Sequence, residues 1–230
     1  MCRYPCQVST SDLSSSAQDY LKAIWSLQEW SDSPVTASVI AGRVGLKLSS
    51  VSDAVRRLTE QGLLEHAPYG SVELTAAGRA HAVAMVRRHR LIETFLVRTL
   101  GYGWDQVHDE AERLEHAVSD LMIDRIDELL GHPTRDPHGD PIPSADGTAH
   151  RPDAVPLAGA APGASVRVER ISDSDAELLQ YFAEQGVVMD AELDVMPGDP
   201  YSGAVVVRVA GRANSITLGT AAASSVWVSR

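Results

Sequence analysis

The stretch KLSSVSDAVRRLTEQGLLEHAPYGSVELT, residues 47–75, decides the fold. Val51, Val55 and Leu58 recur at helical spacing, Ser49 or Ser50 can cap the start, and Gly62 can close the end. LLEHAPYGSVELT then reads as a strand, a Tyr-Gly turn and a second strand. Working back, VTASVIAGRVGL is a short helix with Thr36 as its cap and Gly45 near its end. SSSAQDYLKAIWSLQEW is a helix with apolar Tyr20, Leu21, Ile24, Trp25 and Leu27, and Ser16 as a cap. Helix, helix, short glycine-containing turn, helix and hairpin make the order of a winged helix-turn-helix. Its recognition helix exposes Ser49, Ser50, Ser52, Asp53, Arg56 and Arg57, with Arg43 and Lys47 nearby. Hydroxyls approach bases or phosphates, and arginines neutralise phosphates. Residues 1–75 are therefore expected to bind double-stranded DNA; the alternative is a small helical protein-interaction domain.

A chain of 230 residues has room for one to two domains and a real core. A formal charge of −11 argues against a generally sticky nucleic-acid binder but leaves local basic patches open, and it also fits carboxylates that await cations. No apolar run is long enough to span a bilayer and the N-terminus lacks a signal pattern, so a cytoplasmic protein with no membrane partner is expected. Cys2 and Cys6, a single pair four apart, read as free thiols.

TAAGRAHAVAMVRRHRLIETFLVRTLG and, after Gly101 and Gly103, WDQVHDEAERLEHAVSDLMIDRIDELLG read as two long amphipathic helices. They can bury their stripes on each other and on a second subunit, and a helix-turn-helix dimer pairs with a palindromic operator. Residues 133–163, rich in proline, glycine, alanine and aspartate, read as a loop and then a linker. ASVRVERI, AELDVMP, AVVVRVAG, NSITLG and SSVWVSR are strand-like, with DAELLQYFAEQG a short helix, giving a small SH3-like β domain. The fold class is mainly α with a small β domain. The expected divisions are 1–75 winged helix-turn-helix, 76–148 helical metal-binding and dimerisation domain, 149–163 linker and 164–230 SH3-like domain.

The chemistry concentrates in VHDEAERLEH, residues 107–116. Projected on one helix at about 100° per residue, His108, Glu112, Glu115 and His116 share a narrow arc beside an apolar stripe of Val107, Ala111, Leu114 and Val118. His89 and Glu93 in RRHRLIE repeat the four-residue spacing. Two packed helices can converge these six groups, and Asp19 on the first helix adds a carboxylate. Such a set points to metal binding, with catalysis by paired carboxylates as the competitor. No glycine-rich phosphate loop, nucleophile elbow or metalloprotease helix motif is present, so no enzyme is expected; a metal-dependent hydrolase or metal carrier is the alternative.

RRHRLIE, VHDEAERLEH and DPHGDPIP, behind a winged helix and ahead of a small β domain, resemble the diphtheria toxin repressor family, metal-activated bacterial transcription repressors, and within it the manganese-dependent branch. The resemblance implies a homodimer that binds operator DNA of metal-homeostasis genes when loaded with two or more ions per subunit, and an FeoA-like third domain. It implies a primary site of Asp19, Glu112, Glu115 and His116 and an ancillary site of His89, Glu93 and His108. A gapless match of the third domain puts Asp175 at the family's acid ligand but Leu178 at its amide, so Asp173, Asp175 and Glu177 all stand as candidates. Iron-sensing members carry methionine and cysteine where this chain has Asp19 and Glu112. Exchanging sulfur for carboxylate hardens the site and favours Mn(II), with Fe(II) the alternative. Some manganese-sensing members place a glutamate three residues after the aspartate; here it is Lys22, which favours two separated sites over a binuclear one.

Overall fold

The structure, a computed structural model, describes residues 13–67, 70–199 and 201–229. Cys2 and Cys6 lie outside the described residues, as does Tyr69 of the expected hairpin turn.

Helix α1 (Ser15–Glu29) starts earlier than a Ser16 cap implies: Ser14 is the cap, and its Oγ accepts the Ala17 N–H at 3.3 Å. Leu13 packs on the core just before it and accepts a hydrogen bond from the Gln18 side chain, which pins the chain entry there. Helix α2 (Ala37–Val44) is capped by Thr36 and closed by Gly45 at φ +66°, as expected. Helix α3 (Leu48–Glu60) corrects the expected serine cap: Lys47 is the cap position and makes no side-chain capping bond. The connection from Gly45 is so short that the helix begins at once, leaving Ser49 and Ser50 exposed in its first turn. Val51, Ala54, Val55 and Leu58 form its buried face. Strands β1 (Leu64–His66) and β2 (Val72–Leu74) pair antiparallel, with Leu64 opposite Leu74. The hairpin is tied back by the Val72 N–H to the Val35 carbonyl, and Leu21, Ile24, Ile40 and Val51 are fully buried beneath it.

Helix α4 (Ala76–Leu100) begins hard against this hairpin; a Cβ on Gly78 would lie 1.9 Å from the Leu63 carbonyl oxygen. The single helix expected over 104–131 is instead two, α5 (Val107–Leu114) and α6 (Asp120–Leu130). Residues 115–119 leave the helix because the buried Glu115 is held by Lys22 and His89, and the Ser119 hydroxyl starts α6 by accepting the Met122 N–H. The helical arc drawn from sequence therefore holds for His108 and Glu112 but not for Glu115 and His116. The buried stripe likewise stops at Val107 and Ala111.

The chain forms two compact units, one of residues up to 89 with 115–124 and 143–149, the other of 90–114, 125–142 and 150 onward. In the second unit residues 150–163, part of the 149–163 stretch expected as linker, carry strand β3 (Ala154–Pro156) and a 3-10 turn whose Leu157 is fully buried. Strands β4 (Ser165–Ile171), β5 (Glu192–Met196), β6 (Val205–Val209), β7 (Ser215–Leu218) and β8 (Val226–Ser229) complete an antiparallel sheet in the order β3-β8-β4-β5-β6-β7. Apolar residues alternating inward from these strands meet Leu179 and Phe182 of α7 (Ala176–Gln185) in one core. A short α8 (Thr220–Ser224), not read from sequence, precedes β8. Among the described residues no helix is long and apolar enough to cross a membrane.

Candidate metal centres and nucleic-acid interface

In the first unit, α1 presents Asp19 and Lys22, and the turn after α5 presents Glu115 and His116. Asp19, Glu115 and His116 each offer a ligand atom within 4.8 Å of the others. His116 Nδ1 donates to the Gln18 amide oxygen at 2.7 Å, and the Gln18 amide nitrogen donates to the Leu13 carbonyl, which sets the amide's orientation. His116 Nε2 is thereby turned to Asp19 Oδ1 at 2.9 Å. The Glu115 side chain is wholly buried; Lys22 Nζ lies 2.6 Å from Oε1, and His89 Nδ1 lies 2.6 Å from Oε2. Burial works to raise the Glu115 pKa, but His89 and Lys22 outweigh it and hold the carboxyl below its ordinary range.

In the second unit, His108 on α5 has Nδ1 at 2.9 Å from Asp173 Oδ2 and 3.5 Å from Glu93 Oε1, and Nε2 at 3.8 Å from Glu112 Oε1. Glu93, Asp136 and His138 form a further grouping, again within 4.8 Å and entirely buried. His138 donates Nε2–H to the Trp104 carbonyl at 2.7 Å and stacks on the Trp104 ring. Its Nδ1 faces Glu93 Oε2 at 3.8 Å. Asp136 Oδ1 accepts the backbone N–H groups of His138 and Asp140, which folds DPHGD into a tight turn.

Burial opposes charge on both histidines, yet hydrogen bonds and charge from Asp173 and Glu93 push His108 up to about 10, and Glu93 and Asp136 push His138 up to about 10. Burial, with the neighbouring Asp140 and Glu93 carboxylates, raises Asp136 to about 8. Asp173, largely but not wholly buried, is held well below the usual carboxylate range by His108. Glu93, Asp136, Asp173 and the two imidazoles are donors that could hold a divalent cation, which would take the place of the protons on His108 and His138. Donors of oxygen and imidazole nitrogen, with no sulfur, suit Mn(II) or Fe(II). In His116 and His138 one ring nitrogen is tied to an oxygen acceptor while the other faces carboxylates, the arrangement that fixes a ligating imidazole's tautomer.

The residues predicted from sequence are placed as follows. Asp19, Glu115 and His116 converge; Glu112 lies beside His108; and Asp173 reaches His108. His89 sits one turn before Glu93 on α4 with its Nδ1 on Glu115. Asp175 caps α7, accepting the Leu178 N–H at 3.0 Å, and Glu177 is exposed in that helix's first turn. Asp136 and His138 were not singled out as ligands, because a segment dense in proline and glycine reads as connecting loop. The available signal was two acids and a histidine within DPHGD. On α3, Ser49, Ser50, Ser52, Asp53, Arg56 and Arg57 are all exposed, as are Arg43 and Lys47 before it. Arg56 is held along the helix by Glu60 at 3.2 Å and Asp53 at 3.8 Å.

Residues 12–72 match the iron dependent repressor N-terminal DNA binding domain, 75–144 the iron dependent repressor metal binding and dimerisation domain, and 155–230 the FeoA domain. The chain is 34% identical over 232 residues to the iron-dependent repressor IdeR of Mycobacterium leprae, covering 95% of this chain and 99% of that protein. It is also 34% identical over 195 residues to the diphtheria toxin repressor of Corynebacterium glutamicum, covering 80% of this chain and 85% of that one. Among solved structures, a manganese-dependent transcriptional repressor in complex with manganese superposes with a TM-score of 0.88 at 50% identity, covering 93% of this chain and 99% of that one. The manganese regulator SloR superposes with a TM-score of 0.79 at 31% identity, covering 93% and 98%. With three domains matched in order and relatives aligned nearly end to end, this chain belongs to the iron-dependent, or diphtheria toxin, repressor family and is a metal-dependent transcriptional repressor.

Proposed function

We propose that this repressor answers to Mn(II), through two separated metal centres per subunit, and that the loaded homodimer binds a palindromic operator of metal-homeostasis genes in the cytoplasm. The observation that carries the reading is the convergence of Asp19 and Glu115 with a His116 ring whose Nδ1–H is already tied to Gln18. Oxygen and imidazole donors without thioether or thiolate favour the harder ion. The primary centre is Asp19, Glu115 and His116, with Glu112 carried over from the family resemblance. The second draws on Glu93, His108, Asp173, Asp136 and His138, with His89 carried over in the same way, while Asp175 serves as the cap of α7. A bound dication supplies positive charge that offsets the clustered carboxylates. The chain's residues do the rest: Asp19 belongs to α1, which packs under the recognition helix, so holding Asp19 to Glu115 and His116 steadies the DNA-reading domain. Selection of that arrangement shifts the population toward the DNA-competent form. Arg43, Lys47, Ser49, Ser50, Ser52, Arg56 and Arg57 form the DNA-facing set.

The likeness at 50% identity to a manganese-dependent repressor supports this reading. The iron-dependent names of the relatives at 34% identity support Fe(II) as the second reading. Operator binding titrated separately with Mn(II), Fe(II), Co(II) and Zn(II) at fixed salt, without oxygen, separates them. Activation by Mn(II) at the lowest free-metal concentration is expected; activation by Fe(II) alone overturns the manganese assignment.

A further inference from the structure

Lys22 stands one helical turn after Asp19 on α1, with only 12% of its side chain exposed, and its ammonium lies 2.6 Å from Glu115 Oε1. That oxygen is also the one 3.6 Å from His116 Nε2, so it is the side of the carboxylate that faces the other candidate ligands. The opposite oxygen, Oε2, is occupied by His89. The chain thus brings its own cation to the carboxylate that a divalent ion needs. We propose that Lys22 is a built-in counter-cation: it satisfies Glu115 in the metal-free protein and so sets how much metal is needed to load the centre. This rests on the reading of Asp19, Glu115 and His116 as a metal centre.

Two effects act on affinity in the same direction. An ammonium retained on Glu115 repels an arriving dication. Removing the ammonium also leaves the buried Glu115 charge with less compensation in the metal-free state, which makes loading more favourable. Even at the dielectric of water, a unit charge a few ångströms from a dication changes affinity by about tenfold. Methionine matches the apolar stem of the lysine and fills the same channel without the charge.

The experiment titrates the full chain with Mn(II) in the absence of DNA, reading free Mn(II) by electron paramagnetic resonance. Lys22→Met is expected to tighten the primary step at least about tenfold, whereas Lys22→Arg, which keeps the charge, stays near wild type. Lys22→Gln keeps a donor for Glu115 without the charge and stands in if the methionine variant fails to fold. Unchanged or weaker binding in the neutral variants overturns the proposal. Asp19→Ala is measured in parallel. Wild-type affinity in that variant means the metal-centre reading itself fails, whereas its loss of binding with no gain in Lys22→Met removes only the counter-cation. Lys22 and Lys47 are the chain's two lysines, so lysine-selective carbon labelling gives a second readout. Substoichiometric Mn(II) is expected to broaden the Lys22 resonance and spare the exposed Lys47; a Lys22 resonance that stays sharp overturns the proposal.

Discussion

His116 keeps one ring nitrogen on Gln18 and turns the other to Asp19, so its loss takes away a donor whose orientation is already set. His116→Ala is expected to abolish metal-stimulated operator binding while leaving helical content by circular dichroism near wild type, since the side chain is only partly buried. Metal activation at wild-type concentrations in this variant would remove His116 from the centre. The second grouping behaves differently with pH. His108 is protonated up to about pH 10 in the metal-free protein, and an ion can use its Nδ1 only after that proton leaves. Mn(II) affinity at this centre is therefore expected to rise between pH 6.5 and 8.5 by up to about tenfold per pH unit for each of His108 and His138 that must lose its proton, with protons released in calorimetry; a flat profile excludes both as ligands. The sign on stability is opposite. Because the folded pKa is raised, the His108 ion pair stabilises the metal-free fold fully below its ordinary 6.5, and that contribution is lost as pH climbs through about 10.

At the scale of elements, the start of α4 and the recognition helix make separate demands. Gly78 is required by close approach rather than by backbone angle, because an added methyl would overlap the Leu63 carbonyl group. Gly78→Ala is expected to lower stability by about 1–3 kcal/mol or more, seen as a reduced urea midpoint, because backbone on both sides must shift. A midpoint at or above wild type would show that α4 does not seat on the hairpin at this point. On α3, Arg56 is exposed and held in place by Glu60 and Asp53. Arg56→Ala is expected to reduce the slope of log operator affinity against log salt by roughly one, the signature of a lost phosphate contact, without altering Mn(II) affinity in free protein. An unchanged slope assigns Arg56 to the helix surface alone.

For the whole molecule the testable quantity is linkage. A metal that strengthens operator binding by some factor must itself be bound more tightly by that factor when operator is present. The product of the Mn(II) dissociation constants over all ions bound by the dimer, measured with saturating operator duplex, is expected to fall by the ratio of operator affinities with and without Mn(II). Tight DNA binding with no such change in Mn(II) affinity would mean that metal and DNA act independently. The chain's charge of −11 gives this coupling a physical source, since each carboxylate engaged by a cation repels the phosphates less.

Local pattern alone determined the order of the winged helix, the Thr36 and Gly45 boundaries of α2, the buried face of α3 and the strands after residue 164, because helical and strand periodicity are written in residues a few positions apart. It also made His108, Glu112, Glu115 and His116 legible as groups of interest. Only the tertiary structure decided that Glu115 and His116 leave the helix that carries the other two. Burying a carboxylate needs partners, and those partners, Lys22 and His89, come from distant parts of the chain. The same holds for His138 and Asp136, which are loop residues until Glu93 faces them, and for the places of two nearby acids, since Asp173 meets His108 and Asp175 caps a helix. Strand β3 too was invisible in a proline-rich segment, because a strand of three residues is stabilised by the edge it joins and not by its own composition.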